Sequence, residues 1–223
     1  MNTVEKGCRR DRKILRLLDL LGALTTEQVR LLCFKELKAG ERKAQHRLKR
    51  LYDLGLVKRL RPSLDSPNVY YTEERPSQLE HVIARNWVYC YLVATCRPGE
   101  RLESWLTEED YGVLRADALA RIKNYPTDKS RFLFVEVELS DNRFDKVRKY
   151  TQLCQQGIDA WWADEAEVFP PILLVTDSLT RLERMRRAVR DENPLGLRFD
   201  VRLLDDLRRE AAGWTRNPLR LSF

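Results

Sequence analysis

Apolar side chains recur at helical spacing in three successive segments near the start of the chain, and two short strand-like segments follow. The first predicted helix covers residues 10–21, with its aliphatic side chains on one side. Residues 25–28 have the composition of a capping box, which predicts the start of a second helix. A third helix is predicted from just after Gly40 to about Leu54, before a glycine suited to end it. Strands are predicted over 56–60 and 68–71, joined by a turn rich in Pro, Ser and Asp.

The rest of the chain alternates between strand and helix patterns. A helix over 76–95 is rich in aromatic residues, which is typical of a core helix, and a dimer seam is the alternative. Trp161 and Trp162 indicate a packing element over a sheet edge, with base stacking as the alternative. Strands are predicted over 101–106, 113–122, 131–139, 172–176 and 198–204, and helices over 142–156 and 178–191.

The third predicted helix has an apolar face and a polar face. Because successive residues are about 100° apart, its apolar residues fall on one side, which must pack against the other helices. The opposite side then faces outward, where its side chains can approach base edges in the major groove of duplex DNA. With the two following strands, this order predicts a winged helix-turn-helix. The apolar face holds Ala44, Leu48, Leu51 and Tyr52, and the polar face holds Arg42, Gln45, His46 and Lys49.

Further basic residues flank the polar face and continue into the strand pair that would form the wing. The alternative to DNA binding is a helical bundle whose basic residues only keep it soluble. Acidic residues would then be interspersed, but none occurs between Arg42 and Arg50. The residues expected to contact phosphates are Lys43, Arg47 and Arg50 on the flank of the helix and Lys58, Arg59 and Arg61 in the wing.

The net charge is divided unevenly along the chain. Up to Arg61 there are 17 Lys and Arg against 7 Asp and Glu, a net charge of +10. The other 162 residues hold 24 basic and 27 acidic residues, so the +7 of the whole chain combines a basic N-terminal segment with a mildly acidic remainder. A positive field concentrates nucleic acid whatever its sequence, so this asymmetry predicts a polyanion partner.

Length and composition exclude several classes of protein. With 223 residues, 43% apolar and 34% charged, the chain is long enough for one or two ordinary domains. No apolar run approaches the roughly 20 residues that span a bilayer. The N-terminus lacks a signal-peptide stretch, so we expect a cytoplasmic protein without membrane contact. Five dispersed cysteines fit reduced thiols better than disulfides or a zinc site.

Carboxylates are placed on two neighbouring predicted strands. Along 131–139, alternation puts Glu136 and Glu138 on one face with two phenylalanines, so these acids should lie in a partly buried cleft. If the hairpin that joins this strand to the preceding one is symmetric about its turn, the numbers of paired positions sum to 253. That register sets Asp117 opposite Glu136 and Arg115 opposite Glu138.

These features carry a resemblance to known families. The order of helix, three strands, helix and strand, with Asp117 in Leu-Arg-Ala-Asp-Ala and Glu136-Val-Glu138 some 19 residues later, resembles the PD-(D/E)xK nuclease core. With the predicted winged helix, Lys-Val-Arg-Lys-Tyr at 146–150 and Ile-Leu-Leu-Val-Thr-Asp at 172–177, nearly the whole chain resembles the replication-relaxation family of plasmids and other mobile elements. The resemblance implies a DNA-associated protein with a nuclease-like fold.

The chain departs from the nuclease pattern at one position. The motif places a lysine two residues after its second acid, where it stabilises the nucleophile and the charge that develops on phosphate, but this chain has Glu138 there. In an active enzyme, Asp117, Glu136 and Glu138 would hold Mg²⁺. Lys146 or Lys149 from the next helix would then replace the missing lysine.

The alternative, which we favour, is a non-catalytic acidic pocket. In it Arg115 neutralises Glu138, and the other two acids are held by hydrogen bonds or by Arg143 and Arg148. Two-metal chemistry does not tolerate a lost positive charge without replacement, so we expect neither a cofactor nor enzymatic activity.

The sequence therefore predicts an α+β protein with two domains. Residues 1–75 would form a winged helix-turn-helix, and 76–223 a PD-(D/E)xK nuclease-like α/β domain with a central mixed sheet. The function it favours is a DNA-binding accessory or regulatory protein of a plasmid or other mobile element. Its second domain would form a homodimer or bind a replication or transfer protein. The alternatives are a magnesium-dependent DNA endonuclease and an adaptor whose basic segment binds an acidic protein.

Overall fold

The computed structural model describes residues 3–166 and 168–213, which form two compact units divided after Cys90. The division falls within one helix, α4, which runs from Leu79 to Thr95. The domain boundary that the sequence predicts, between residues 75 and 76, stays a prediction. Each unit has its own sheet, and each is described by itself.

The first unit contains three helices followed by an antiparallel strand pair, as the sequence predicts. A short strand before the second helix, which the sequence analysis did not predict, joins this pair and makes a three-stranded sheet of order β1-β3-β2. The elements are α1 Thr3–Leu21, β1 Leu24–Thr25, α2 Thr26–Phe34, α3 Gly40–Asp53, β2 Lys58–Leu60 and β3 Val69–Tyr71.

Local hydrogen bonds fix the ends of the helices in this unit. The predicted capping box is confirmed at α2, where Gln28 N–H donates to Thr25 Oγ1 over 3.2 Å and Thr25 N–H donates to Gln28 Oε1 over 3.0 Å. At the end of α3, Gly55 has φ +69° and donates to Tyr52 O, while Leu56 donates to Leu51 O. These two bonds form a Schellman motif, which confirms the predicted stop.

The spacing between α2 and α3 depends on a glycine. A Cβ atom at Gly40 would lie 2.6 Å from the carbonyl oxygen of Phe34, at the end of α2. Because that neighbour is backbone, it cannot rotate away. The missing side chain therefore lets the first residue of α3 approach the last turn of α2.

The first part of α4 packs on this unit. Asn86, fully buried, donates to the carbonyl oxygens of Leu21 (2.9 Å) and Ala23 (2.6 Å), just after α1. Gln28 Nε2 donates to Ile83 O over 2.9 Å. These bonds satisfy polar groups that burial would otherwise leave unpaired. Trp87 and Tyr91 of α4 are each 4% exposed, as the interpretation as a core helix expects, and Tyr89 is partly exposed.

The second unit is built on a five-stranded mixed sheet of order β4-β5-β6-β7-β8. The first three strands are antiparallel, and the last three are parallel. With α1 to α4, the described residues form seven α-helices, which confirms the predicted α+β class and mixed sheet. The elements are β4 Glu100–Asp110, β5 Arg115–Asn124, β6 Lys129–Glu138, α5 Lys146–Gln156, β7 Ile172–Thr176, α6 Leu179–Asp191, β8 Phe199–Leu203 and α7 Leu204–Ala211.

The register of the β5–β6 hairpin is the predicted one. Pairs run from Asn124 with Lys129 to Ala118 with Val135, and the numbers in each pair sum to 253. One face of the sheet is covered by an apolar cluster that includes Phe134, Tyr150 and Trp162, each at most 2% exposed. Trp162 is therefore a packing element.

Replacing Gly40 with alanine tests the contact between α2 and α3. In an unobstructed helix, exchanging glycine for alanine raises the free energy of unfolding by roughly 0.5–1 kcal/mol. Here the new methyl group meets backbone, so we expect Gly40→Ala to lower the free energy of unfolding by about 1–3 kcal/mol. Urea denaturation followed by circular dichroism measures the change. A Gly40→Ala protein more stable than wild type would contradict the close contact.

Candidate nucleic-acid interface and acidic site

The outward face of α3 has the composition that the helical pattern predicts. Ala44, Leu48 and Leu51 are at most 1% exposed. The four predicted outward residues, Arg42, Gln45, His46 and Lys49, are all exposed. Tyr52 departs from the prediction, because it is 42% exposed instead of packing with the apolar face.

Contacts of the outward residues lie within α3 itself. Lys49 Nζ lies 2.7 Å from the carboxylate of Asp53, four residues on, and Gln45 Nε2 is 3.5 Å from Glu41 Oε1. Exposed pairs at this spacing contribute only about 0.3–0.5 kcal/mol, so a phosphate group can displace them.

Arg47 lies in a different place from the predicted phosphate-contacting flank. Its Nε is 2.7 Å from Asp11 Oδ1, and its second guanidinium nitrogen contacts Asp11 Oδ2. Both side chains are only 16% exposed. A bidentate pair of this kind links α3 to α1. The flank residues that remain exposed are Lys43 and Arg50.

The basic residues of the β2–β3 hairpin are exposed and held by nearby groups. Lys58 Nζ donates to Glu73 O over 2.6 Å, and Arg61 Nε donates to Ser66 O over 3.1 Å. The guanidinium of Arg59 lies 4.6 Å from the ring centre of Tyr52, which explains the exposed position of that ring. The hairpin thus continues the basic surface that begins on α3.

In the second unit, Glu136 is the centre of the acidic site. It lies on β6 with 2% of its surface exposed. Lys146 Nζ, from the first turn of α5, is 2.6 Å from its Oε2. Tyr150 donates its hydroxyl to Oε1 over 2.7 Å. Lys146 therefore reaches the second acid, as the sequence analysis proposed for one of the two lysines.

Burial dominates the protonation of this site. It raises the pKa of Glu136 to about 7, and the charge of Asp117 adds to the rise, while Lys146 and Tyr150 oppose it. Burial lowers the pKa of Lys146, but the Glu136 carboxylate outweighs that effect, and the pKa is raised. The pKa of Tyr150 is raised by burial and then by Glu136. Glu136 therefore gains and loses its proton near neutral pH.

The other predicted residues lie around this centre with partners of their own. Asp117 Oδ2 accepts the amide of Val137 over 2.6 Å, next to Glu136 in the chain. Glu138 Oε1 accepts both the amide (3.0 Å) and the hydroxyl (2.5 Å) of Ser140.

Of the other predicted cations, Arg143 is exposed, and Arg115, Arg148 and Lys149 pair with acids outside this site. Arg115 does not neutralise Glu138, because its Nε lies 3.6 Å from the carboxylate of Glu108, close to the turn between β4 and β5. Lys149 pairs with Asp145 at 3.0 Å, and Arg148 pairs with Glu192 at 2.9 Å. Of the lysines and arginines that the sequence predicts for this site, Lys146 pairs with Glu136.

The carboxylates that the sequence predicts as metal ligands contact protein groups in this structure. Mg²⁺ requires oxygen ligands at about 2.1 Å in nearly octahedral geometry. Both oxygens of Glu136 are in contact with protein side chains, Asp117 accepts a backbone amide, and Glu138 accepts a nearby serine. Lys146 therefore compensates the charge of Glu136, while Asp117 and Glu138 accept hydrogen bonds from neutral protein groups.

Tyr150 is the residue of this site that the sequence analysis missed. It lies four residues after Lys146, so the two side chains share one face of α5. That spacing was visible in Lys-Val-Arg-Lys-Tyr at 146–150, but only the burial of Glu136 shows that a neutral donor is also needed there.

The raised pKa of Glu136 predicts a pH dependence of stability. Its folded-state pKa of about 7 exceeds its ordinary value of 4.5, so the folded protein binds the proton more tightly. The free energy of unfolding should therefore fall as pH rises from about 4.5 to 7, by roughly 2–3 kcal/mol. Urea denaturation between pH 5 and 8 should show this fall for wild type and its loss in Glu136→Gln.

A second variant separates the two causes that raise the pKa of Glu136, which are burial and the charge of Asp117. Asp117→Asn removes the charge that adds to the rise, so the fall in stability should move to lower pH. Parallel pH profiles for wild type and Glu136→Gln would show that Glu136 does not titrate in this range.

The described residues contain no helix that is both long and apolar enough to cross a membrane. No curated protein and no solved structure matches the chain. The family model for replication-relaxation matches residues 15–75, which include α2, α3 and the β2–β3 hairpin. This match confirms, over residues 15–75, the resemblance to the replication-relaxation family seen in the sequence.

Proposed function

We propose that the chain binds duplex DNA through α3 and the β2–β3 hairpin, as an accessory or regulatory protein in the replication or transfer of a mobile element. The family match at residues 15–75 indicates a replication-associated function on mobile elements. DNA binding is our extension of that function, and it is argued from the surface itself.

One observation carries the proposal: the exposed surface of α3 has no acidic residue between Arg42 and Arg50. Arg42, Gln45, His46 and Lys49 are exposed on one face, while the opposite face is buried. A helix of 14 residues is about 21 Å long, and a major groove about 12 Å wide accepts one helix. Side chains that donate hydrogen bonds from such a face can read base edges.

The β2–β3 hairpin supports the same mode of binding. Three helices followed by an antiparallel strand pair is the element order of a winged helix-turn-helix. In that arrangement the second helix of the helix-turn-helix enters the groove, and the hairpin contacts the neighbouring backbone. Lys58, Arg59 and Arg61 are exposed and basic, so they suit phosphate contacts.

For the second unit we propose a non-catalytic role in a nuclease-like fold, as a surface for a homodimer or for a replication or transfer protein. The support is the acidic site, where Lys146 and Tyr150 already engage the buried Glu136. Each oxygen of this carboxylate contacts a protein side chain, which opposes the binding of a metal or of a phosphate oxygen there.

A DNA endonuclease is the second candidate, and one observation favours it. Lys146 brings an ammonium to 2.6 Å from Glu136, although the sequence has Glu138 where the motif places its lysine. A lysine supplied from α5 would restore the positive charge that such chemistry requires. An adaptor that binds an acidic protein is the third candidate, since a basic surface attracts acidic proteins as well as nucleic acids.

The first prediction for this function concerns the outward face of α3. Arg42→Ala with Lys49→Ala should weaken duplex binding without lowering thermal stability, by about 1–3 kcal/mol for each residue that reads a base. Fluorescence anisotropy with labelled duplex measures the change. Arg187→Ala with Arg209→Ala removes the same charge from exposed positions of the second unit and should leave affinity unchanged.

The salt dependence of DNA binding distinguishes the flank of α3 from its outward face. Lys43→Ala and Arg50→Ala should weaken binding to all sequences alike and reduce the salt slope by about 1 each. Arg47→Ala should instead lower the melting temperature, because it breaks the pair with Asp11. If the α3 double variant binds duplex as well as wild type, α3 is not the DNA contact. If the wild-type protein shows salt-sensitive binding to an acidic protein but not to duplex DNA, the adaptor is favoured.

The second prediction concerns cleavage. We expect no cleavage of duplex or single-stranded DNA above background with Mg²⁺ or Mn²⁺, because Lys146 is paired with the buried Glu136. A stabiliser that is not available to the phosphate charge slows such a reaction about 10²–10³-fold. Gel assays should compare wild type with Glu136→Ala, Asp117→Ala and Lys146→Ala, purified identically. Cleavage that wild type performs and all three variants lose would establish the endonuclease instead.

A further inference from the structure

Three exposed arginines form a basic face on α1 that the proposed function does not use. This α1 basic face consists of Arg9, Arg12 and Arg16, and their spacing of three and four residues places them on one side of the helix. The other side packs into the first unit, where Leu18 is fully buried. Two of the three arginines lie outside residues 15–75, which the family model matches.

The arginines of this face have no acidic partner. In the part of the chain that the structure describes, none of their side chains has a hydrogen bond or an ion pair. On α7, by contrast, the exposed Arg209 pairs with Asp206, one turn away. The neighbours of Arg12 at this spacing are Arg9 and Arg16, and like charges so placed destabilise a helix. A polyanion along the face would remove this repulsion.

Two contacts place α1 along one flank of α3. Arg47 of α3 forms its bidentate pair with Asp11, with 2.7 Å between Nε and Oδ1. A Cβ atom at Gly7 would lie only 3.2 Å from the guanidinium of Arg47. The N-terminal half of α1 therefore lies beside the flank of α3 that also carries the exposed Lys43 and Arg50, one turn to either side of Arg47.

The outward face of α3 lies between α1 and the β2–β3 hairpin. The guanidinium of Arg59 in the hairpin lies 4.6 Å from the ring centre of Tyr52, whereas α1 is joined at Arg47. Because Tyr52 follows Arg47 by five residues, the two positions are about 140° apart around α3. The buried Leu48 and Leu51 occupy this narrower arc, so the outward face spans the wider one. The hairpin and α1 therefore border the outward face on opposite sides.

The dimensions of duplex DNA give α1 a strand to contact. A major groove about 12 Å wide has a phosphate strand about 6 Å to either side of its centre line. Packed helices are about 8–10 Å apart, so when α3 occupies the groove, α1 lies over one of these strands. The hairpin then meets the other strand.

We propose that the α1 basic face binds the phosphate backbone of duplex DNA, on the strand across the major groove from the β2–β3 hairpin. The inference rests on the proposed insertion of α3 into that groove. Arginine suits this role, because its guanidinium donates two parallel hydrogen bonds to phosphate oxygens. Arg47, which the sequence pattern places among the phosphate contacts, instead fixes the helix that supplies them. Contacts to phosphates alone add affinity without base preference.

Fluorescence anisotropy of the full chain with two labelled duplexes of unrelated sequence, over a range of salt concentrations, tests the proposal. The triple variant Arg9→Ala, Arg12→Ala, Arg16→Ala should reduce the salt slope by about 2–3, because each lost phosphate contact removes about 0.9. Its affinity should fall about tenfold or more for both duplexes alike. Alanine favours helix and the replaced side chains are exposed, so circular dichroism should show unchanged folding.

Two matched variants separate phosphate contact from net charge. Lysine at all three positions of the α1 basic face keeps the charge and should retain most of the salt slope, since lysine also binds phosphate as a point charge. A second triple alanine variant removes the same charge from exposed positions of the second unit, and it should leave slope and affinity unchanged. Its replaced residues are Arg187, Arg190 and Arg209.

The outcomes distinguish this inference from the proposed function. An unchanged salt slope in the α1 triple alanine variant, while Arg42→Ala with Lys49→Ala still weakens binding, would overturn the α1 contact alone. Equal losses in the alanine variants of α1 and of the second unit would assign the effect to net charge and also overturn it. Polyglutamate that binds as tightly as duplex, with binding lost in the α1 variant, would assign the face to an acidic protein instead. Wild type that fails to bind duplex would overturn the α1 contact and the proposed function together.

Discussion

The second unit is organised around one buried carboxylate. A lone charge at the position of Glu136, 2% exposed on the central strand β6, would cost several kcal/mol of desolvation. Lys146 and Tyr150 both meet it, and they lie one turn apart on α5. These two contacts fix the rotation of α5 about its axis and its position along β6. The apolar residues of α5, such as Val147, then face the sheet and complete the core.

Several features could be predicted from the sequence because they depend on neighbours in the chain. The capping box at Thr25 and the stop at Gly55 are local hydrogen-bond patterns with residue signatures. The register that sets Asp117 near Glu136 follows from a symmetric turn and strand alternation. The helix α7 was not predicted, although its buried residues follow a helical spacing in the sequence. It begins directly after β8, with no turn residues to mark its start.

Other features depend on contacts between distant segments, and the sequence pattern could not predict them. Helical periodicity gives the direction of Arg47 on α3 but not its partner Asp11, 36 residues away. Arg115 has an acid within reach on either neighbouring strand, and β4 supplies Glu108. The acidic site was predicted in position, whereas its raised pKa follows from burial, which only the packed structure shows.

The contact at Gly40 has a consequence for the DNA binding that we propose. A Cβ at Gly40 would lie 2.6 Å from the Phe34 carbonyl oxygen, so the two helices α2 and α3 are already in close backbone contact. Their angle and distance therefore cannot change freely. Reorienting α3, the helix that we propose contacts DNA, as a rigid body would require rebuilding the turn before it. New specificity therefore has to come from exchanging side chains on the exposed face of α3, one position at a time, over an unchanged backbone.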